Sequence, residues 1–150
     1  MIKYYNYMVV FEEIPDEITL AINITHCPNH CPDCHSKFLW DDIGTELTTD
    51  ELDKIISDND GISCVCFMGG DRDVEGIVNL SKHVKEKYNL KTGWYSGKED
   101  LTYGKEFDYI KVGPYIEKYG SLDKPTTNQK LFSNDNGTLT DITFRFWKKA

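Results

Sequence analysis

The sequence of 150 residues lacks several features that would place it quickly. No apolar run approaches the ~20 residues needed to span a bilayer, and Met1 to Phe11 has tyrosines and a lysine instead of an uninterrupted apolar signal core. These absences set a soluble, cytoplasmic protein with no membrane partner as the expectation. Basic residues are scarce, 17 Lys+Arg against 25 Asp+Glu, for a net charge of −8. Such a chain repels phosphate backbones, so no nucleic-acid partner is expected; a protein or a small molecule is. Internal repeats, low-complexity tracts and interdomain linkers are missing too, so residues 1–150 read as one domain. At this length a domain buries roughly 70% of its unfolded surface, enough for a core that needs no disulfides.

Cysteine is sparse but uneven, with three of the five residues falling within eight positions. An odd count crowded this way, in a reducing compartment, points to metal binding more than to disulfides. Cys27-Pro28-Asn29-His30-Cys31-Pro32-Asp33-Cys34 sets three thiolates at spacings of four and three residues in a segment with two prolines and no long apolar side chain. Short, stiff segments of this kind let sulfurs converge on one centre. One reading is a structural or regulatory zinc closed by His26, His30 or His35. The other is an iron–sulfur cluster held by three cysteines, with one iron open to an exogenous ligand.

Around this segment the pattern is α/β. Ile18, Leu20, Ile22 and Ile24 alternate with polar or small residues, predicting a strand that runs into the cysteine loop. Thr48 to Glu51 matches a capping box ahead of Leu52, Ile55 and Ile56, a short amphipathic helix stopped at Asn59-Asp60-Gly61. Residues 62–68 (ISCVCFM) form an apolar run suited to a strand covered on both faces, followed by Gly69-Gly70-Asp71. A second helix fits Asp73 to Tyr88 with Asp73 as N-cap, and short strands are predicted over 91–96 and 107–113. Alternating strands and helices argue for βαβ units around a mainly parallel sheet. Asn136-Gly137 signals a hairpin, with Ile142, Phe144 and Phe146 alternating in its second arm, so a hairpin extension over about 129–147 is expected after a core over about 18–132. Cys64 and Cys66, two apart on one strand, read as small buried core residues, and His83 as a surface residue.

The C-x3-C-x2-C spacing resembles that of the radical S-adenosylmethionine (SAM) enzymes, and Met68-Gly69-Gly70-Asp71 resembles their glycine-rich segment after the second strand. The loop CPNHCPDCHSKFLWDD, the MGGD segment, GWYSG at 93–97, and FDYIKVGPYIE followed by TTNQ at 126–129 resemble, in order, the activating proteins of anaerobic ribonucleoside-triphosphate reductase. Two positions depart from the superfamily's common pattern. Asp33 stands where an aromatic residue is frequent, and Arg72 where proline is common.

The resemblance implies an incomplete βα barrel, since a closed eightfold barrel takes about 250 residues. It also implies a [4Fe-4S] cluster on Cys27, Cys31 and Cys34, with SAM on the open iron. Asp33, Cys34 and His35 would lie along SAM through their backbone, Gly69, Gly70 and Asp71 would fix its amino group, and Ser96 and Lys111 are candidates for its ribose or carboxylate. No general acid or base is implied. The substrate would be a glycine in the large glycyl-radical subunit of the reductase, with a reduced electron donor such as flavodoxin. Two other functions stay open from the residues: a radical SAM enzyme with a different target, and a zinc-binding interaction module.

Overall fold

The computed structural model describes residues 2–25 and 43–147. Strands β1 (Lys3–Val10), β2 (Thr19–Ile24), β3 (Thr45–Glu46), β4 (Cys64–Met68), β5 (Lys91–Tyr95), β6 (Tyr109–Val112), β7 (Lys130–Asp135) and β8 (Thr138–Asp141) form one sheet in the order β3-β1-β2-β4-β5-β6-β7-β8. The central strands β2, β4, β5 and β6 are parallel, and the strands on either flank are antiparallel. Helices α1 (Thr49–Ser57) and α2 (Val74–Tyr88) lie before and after β4. No helix among the described residues is long and apolar enough to cross a membrane.

Alternation along the strands sorts the sheet into two unlike faces. Leu20, Ile22, Ile24, Val65, Phe67, Trp94, Ile110 and Val112 join the α1 residues Leu52, Ile55 and Ile56 and the α2 residues Ile77, Val78 and Val84 in one buried cluster. Both helices therefore cover the same face. The opposite face carries Cys64, Cys66, Met68, Tyr95 and Tyr109, which pack around Ile14 from the segment after β1. Glu17 ends that segment with a buried carboxylate that accepts from Ser63 Oγ at 2.9 Å, Lys91 Nζ at 3.2 Å and Tyr109 OH at 2.8 Å. Three donors satisfy a charge that would be costly to bury alone, and they fasten residues 11–17 across this second face.

Local signals explain the helix ends. Thr48 Oγ1 accepts from the Glu51 amide at 3.1 Å and Asp73 Oδ1 from the Gly76 amide at 3.0 Å, capping α1 and α2 at the predicted residues. Asn89 closes α2 in the left-handed conformation, φ 54°. The two helices are joined by Asp53, whose carboxylate accepts from His83 Nε2 at 2.7 Å, Lys87 Nζ at 2.8 Å and Tyr88 OH at 2.7 Å. His83 is thus half-buried and tied to α1, not a free surface residue.

The C-terminal hairpin turns at Asn136-Gly137, with φ 52° and 92°, both positive as a two-residue type I′ turn requires. Its first arm pairs with β6, so the hairpin extends the central sheet. Its second arm ends at Asp141, and residues 143–146 form a 3-10 turn instead of the expected continuation of the strand. Asp141 Oδ1 accepts from both the amide (3.0 Å) and the hydroxyl (2.6 Å) of Thr143, an Asx-type turn that ends the ladder.

Candidate functional site

The cysteine loop, with Cys27, Cys31, Asp33, Cys34, His35 and the histidines His26 and His30, lies outside the described residues. Its two ends do not. Thr25 follows β2 directly, and its hydroxyl donates to the Ile43 carbonyl at 2.6 Å while its amide donates to the Lys3 carbonyl at 2.9 Å. The chain leaves the sheet at the C-terminal end of β2 and returns to the same point.

Next to that point, at the end of β4, sit Gly69 and Gly70. Both have positive φ, 112° and 100°, a conformation that side-chain-bearing residues rarely adopt. A Cβ on Gly69 would lie 3.3 Å from the Ile24 carbonyl oxygen, and one on Gly70 would lie 2.6 Å from Ile77 Cδ1. The turn is therefore wedged between the root of the cysteine loop and the first turns of α2. It is held from the neighbouring strand by the Gly69 amide donating to Tyr95 O at 3.0 Å and by Trp94 Nε1 donating to Gly69 O at 2.7 Å.

Asp71 joins this turn to the loop after β5. One carboxylate oxygen accepts from Ser96 Oγ at 2.5 Å and the other from the Gly97 amide at 2.9 Å, with Asp71 and Ser96 both buried. The Ser96 hydroxyl also accepts from the Lys98 amide at 3.1 Å. Lys111, buried on β6, donates from Nζ to the carbonyls of Ser96 (3.2 Å) and Gly113 (2.8 Å), and its ammonium lies 5.8 Å from the centre of the Tyr95 ring. Gly69, Gly70, Asp71, Ser96 and Lys111 are thus brought together by one continuous network along the C-terminal ends of β4, β5 and β6. The role it demonstrates for Ser96 is to hold Asp71, and for Lys111 to hold two loop carbonyls.

The TTNQ stretch has a structural account that its sequence did not provide. Thr126 Oγ1 donates to Tyr119 O at 2.6 Å, Thr127 Oγ1 to Gly120 O at 3.0 Å, Asn128 Nδ2 to Pro114 O at 3.0 Å and Gln129 Nε2 to Gly113 O at 3.4 Å. Four consecutive side chains fasten the loop over residues 113–120 that leaves β6, and Lys111 shares the Gly113 carbonyl with Gln129.

On the face without helices, a cleft of about 810 Å³ opens beside Tyr95 and Lys111, walled by Glu12, Glu13, Gln129 and Arg145 among others. Two of its walls are joined where the Tyr95 hydroxyl donates to the Glu13 carbonyl. Burial pushes the Tyr95 phenol well above its ordinary value, so it stays a neutral donor. Cys64 and Cys66 lie deeper on the same face, fully buried, and burial pushes both thiols up. A cluster ligand must be a thiolate, so these two remain core residues, in keeping with their spacing. Among the described residues no group of three His, Cys, Asp or Glu side chains is placed to hold a metal ion.

Residues 18–110 match the 4Fe-4S single cluster domain family. Over 73 residues the chain is 37% identical to a PqqA peptide cyclase of Bradyrhizobium diazoefficiens, an alignment that covers 46% of this chain and 19% of that protein. No solved structure gives a significant match. The matched family segment begins one residue before β2, the strand that precedes the cysteine segment, and runs through the glycine turn and the Asp71–Ser96 network to β6. The chain belongs to the 4Fe-4S single cluster domain family.

Proposed function

We propose that this chain is a radical SAM activase that generates the glycyl radical on the large subunit of anaerobic ribonucleoside-triphosphate reductase. The observation that carries the reading is the placement of the glycine turn against the root of the cysteine loop. Thr25 and Ile43 fix both ends of that loop at the C-terminal end of β2, and Gly69 abuts Ile24 at the same place. Cys27, Cys31 and Cys34 supply three thiolates, a donor set that suits a [4Fe-4S] cluster with one iron left for SAM. The four parallel strands, with both helices on one face and a cleft on the other, fit part of a βα barrel whose open side admits a segment of a large partner.

Cys27, Cys31 and Cys34 would hold the cluster, which would supply one-electron reductive cleavage of SAM for hydrogen abstraction from a glycine α-carbon, with the electron drawn from a reduced donor such as flavodoxin. The protein's contribution is geometric. Gly69 and Gly70 let backbone groups approach the SAM amino group without a Cβ in the way. Asp33 and His35, outside the described residues, would border it through their backbone, and the Asp71–Ser96 pair keeps the turn and the loop after β5 tied together. Lys111 presents a buried positive charge toward the same end of the sheet, suited to a carboxylate.

The match to a protein named for cyclising a peptide agrees with a polypeptide substrate. It also favours a second reading, a radical SAM enzyme acting on a target other than the reductase. The experiment that separates them is incubation of the anaerobically reduced protein with SAM and the reductase subunit, read by electron paramagnetic resonance. A glycyl-radical doublet supports the activase. Deoxyadenosine formed without the doublet moves the assignment to another target, and zinc without acid-labile sulfide refutes both.

A further inference from the structure

Most polar side chains in the wall of the cleft beside Tyr95 and Lys111 are already engaged. Arg145 pairs with Asp16, Ser121 Oγ donates to Asp123, the Tyr95 hydroxyl donates to the Glu13 carbonyl, and Lys111 holds the carbonyls of Ser96 and Gly113. Gln129 is the buried exception. It is 6% exposed, yet its amide makes one marginal contact, from Nε2 to Gly113 O at 3.4 Å, on an oxygen that already accepts from Lys111 at 2.8 Å. That oxygen fixes the amide's orientation, because the other rotation would set two carbonyl oxygens against each other. Oε1 is left at the wall with no donor among the described residues, and one Nε2 hydrogen is left with it. Side chains this buried normally have their hydrogen bonds satisfied, so an open amide on a cleft of about 810 Å³ points to a ligand.

The backbone holds this amide in place. The Gln129 N–H donates to Thr127 Oγ1 at 3.0 Å, and the next residue, Lys130, starts β7 opposite Val112. A Cβ on Gly113, φ 101°, would lie 3.3 Å from the Gln129 Cα, so the glycine lets the two segments approach closely. The chemistry of the open groups selects the ligand. One acceptor and one donor in a single plane complement the N–H and C=O that an extended residue presents on the same side. Glu12 and Glu13 on the wall disfavour a phosphate or a carboxylate, and Gly69, Gly70 and Asp71, assigned above to SAM, do not line the cleft. Resting on the reading that the substrate is a polypeptide, we propose that Gln129 binds its backbone: the side-chain amide pairs with the N–H and C=O of one residue in an extended segment of the target. The TTNQ stretch then serves recognition as well as fastening the loop after β6.

The test uses the full chain with its cluster, prepared anaerobically and labelled with nitrogen-15. Titration with the capped peptide acetyl-Ala-Ala-Gly-Ala-Ala-amide is expected to shift the Gln129 side-chain amide resonances, which are identified by their loss in Gln129→Met. The same peptide N-methylated at every residue keeps its carbonyls, lacks the N–H groups and is expected to leave them in place. With the reductase subunit as substrate, Gln129→Met should raise KM for that subunit about tenfold while kcat and SAM affinity stay within about twofold. Thr126→Val, which loosens the same loop from outside the cleft, should keep the wild-type KM. No shift with the peptide overturns the proposal, as does an equal shift with the methylated one. A loss of SAM affinity in Gln129→Met assigns the amide to the cofactor, and an equal rise of KM in Thr126→Val makes its role structural; either refutes the inference. A shift with the peptide but no glycyl-radical doublet with the reductase subunit upholds Gln129 as the backbone reader and refutes only the activase.

Discussion

The hydroxyl of Thr25 donates to the carbonyl of Ile43 at 2.6 Å, so the two residues that flank positions 26–42 meet at one point on the sheet. That point is the C-terminal end of the parallel strand β2, beside the turn of Gly69 and Gly70 at the end of β4. In open α/β sheets, ligands gather at the carboxyl ends of parallel strands. Here that end holds Thr25 and Ile43, which flank residues 26–42, and the one backbone turn among the described residues in which two consecutive glycines take positive φ.

The two sets of cysteines should separate cleanly. Replacing Cys27, Cys31 or Cys34 with Ala is expected to abolish bound iron and sulfide, and with them SAM cleavage. Cys64→Ser or Cys66→Ser should retain the cluster and lose about 1–3 kcal/mol of stability, the cost of a hydroxyl placed in a buried apolar site. Iron and sulfide analysis alongside denaturant unfolding checks both; cluster loss in Cys66→Ser would contradict the assignment.

The glycine turn should not tolerate a methyl group. In Gly70→Ala the new Cβ meets Ile77 at 2.6 Å in a backbone conformation with φ 100°, so about 1–3 kcal/mol of strain is expected. In Gly69→Ala the nearest atom is the Ile24 carbonyl oxygen at 3.3 Å, and the expected loss includes SAM affinity. Equilibrium dialysis with labelled SAM on anaerobically reconstituted protein, together with thermal unfolding, measures the two effects separately.

Ser96→Ala removes a donor to a buried carboxylate, and a loss of about 1–3 kcal/mol is expected. Asp71→Asn keeps the shape but places an amide where two donors, Ser96 Oγ and the Gly97 amide, now converge. The loop after β5 should then exchange its amide hydrogens faster. Hydrogen exchange at Gly97 and Lys98 reads this without any cofactor.

Asp53 predicts an acid-labile link between the helices. Burial alone would raise its carboxyl, but the hydrogen bonds from Lys87, Tyr88 and His83 outweigh that and hold it well below the usual carboxylate range. A group whose folded pKa is depressed contributes stability that is fully present above its unfolded value, about 4, and is lost as pH falls toward the folded one. Asp53→Asn should therefore be less stable at neutral pH by about 1–2 kcal/mol, reduced for partial exposure. The difference from wild type should shrink below about pH 4. Urea unfolding at a series of pH values tests the sign.

Most of the central sheet was legible because its strands and helices obey one periodicity at a time. Residues 19–24 and 73–88 carry apolar positions that face the helix-covered core, residues 62–68 are apolar on both faces, and Thr48 and Asp73 cap the helices as their side chains predict. β1 was not legible, because its exposed, two-faced apolar run has neither alternation nor a buried side to impose one. Ile142, Phe144 and Phe146 misled for the opposite reason. They alternate, but Asp141 and Thr143 form a local turn that outcompetes the ladder. In the candidate site, Gly69, Gly70 and Asp71 stood out because they resemble a glycine-rich segment after a strand, where a missing Cβ lets the backbone approach a ligand closely; their positive φ is a finding of the structure. The partner of Asp71, 25 residues away at Ser96, arises from strand order, which no local pattern encodes.

The central claim is a cluster with three protein thiolates and one iron reserved for SAM. Electron paramagnetic resonance of the anaerobically isolated, dithionite-reduced protein, recorded before and after SAM is added, tests it most directly. The account predicts about four iron and four sulfide per chain and a reduced-cluster signal that changes when SAM binds. A signal that SAM leaves unaltered, or a protein that holds zinc and no sulfide, would contradict it.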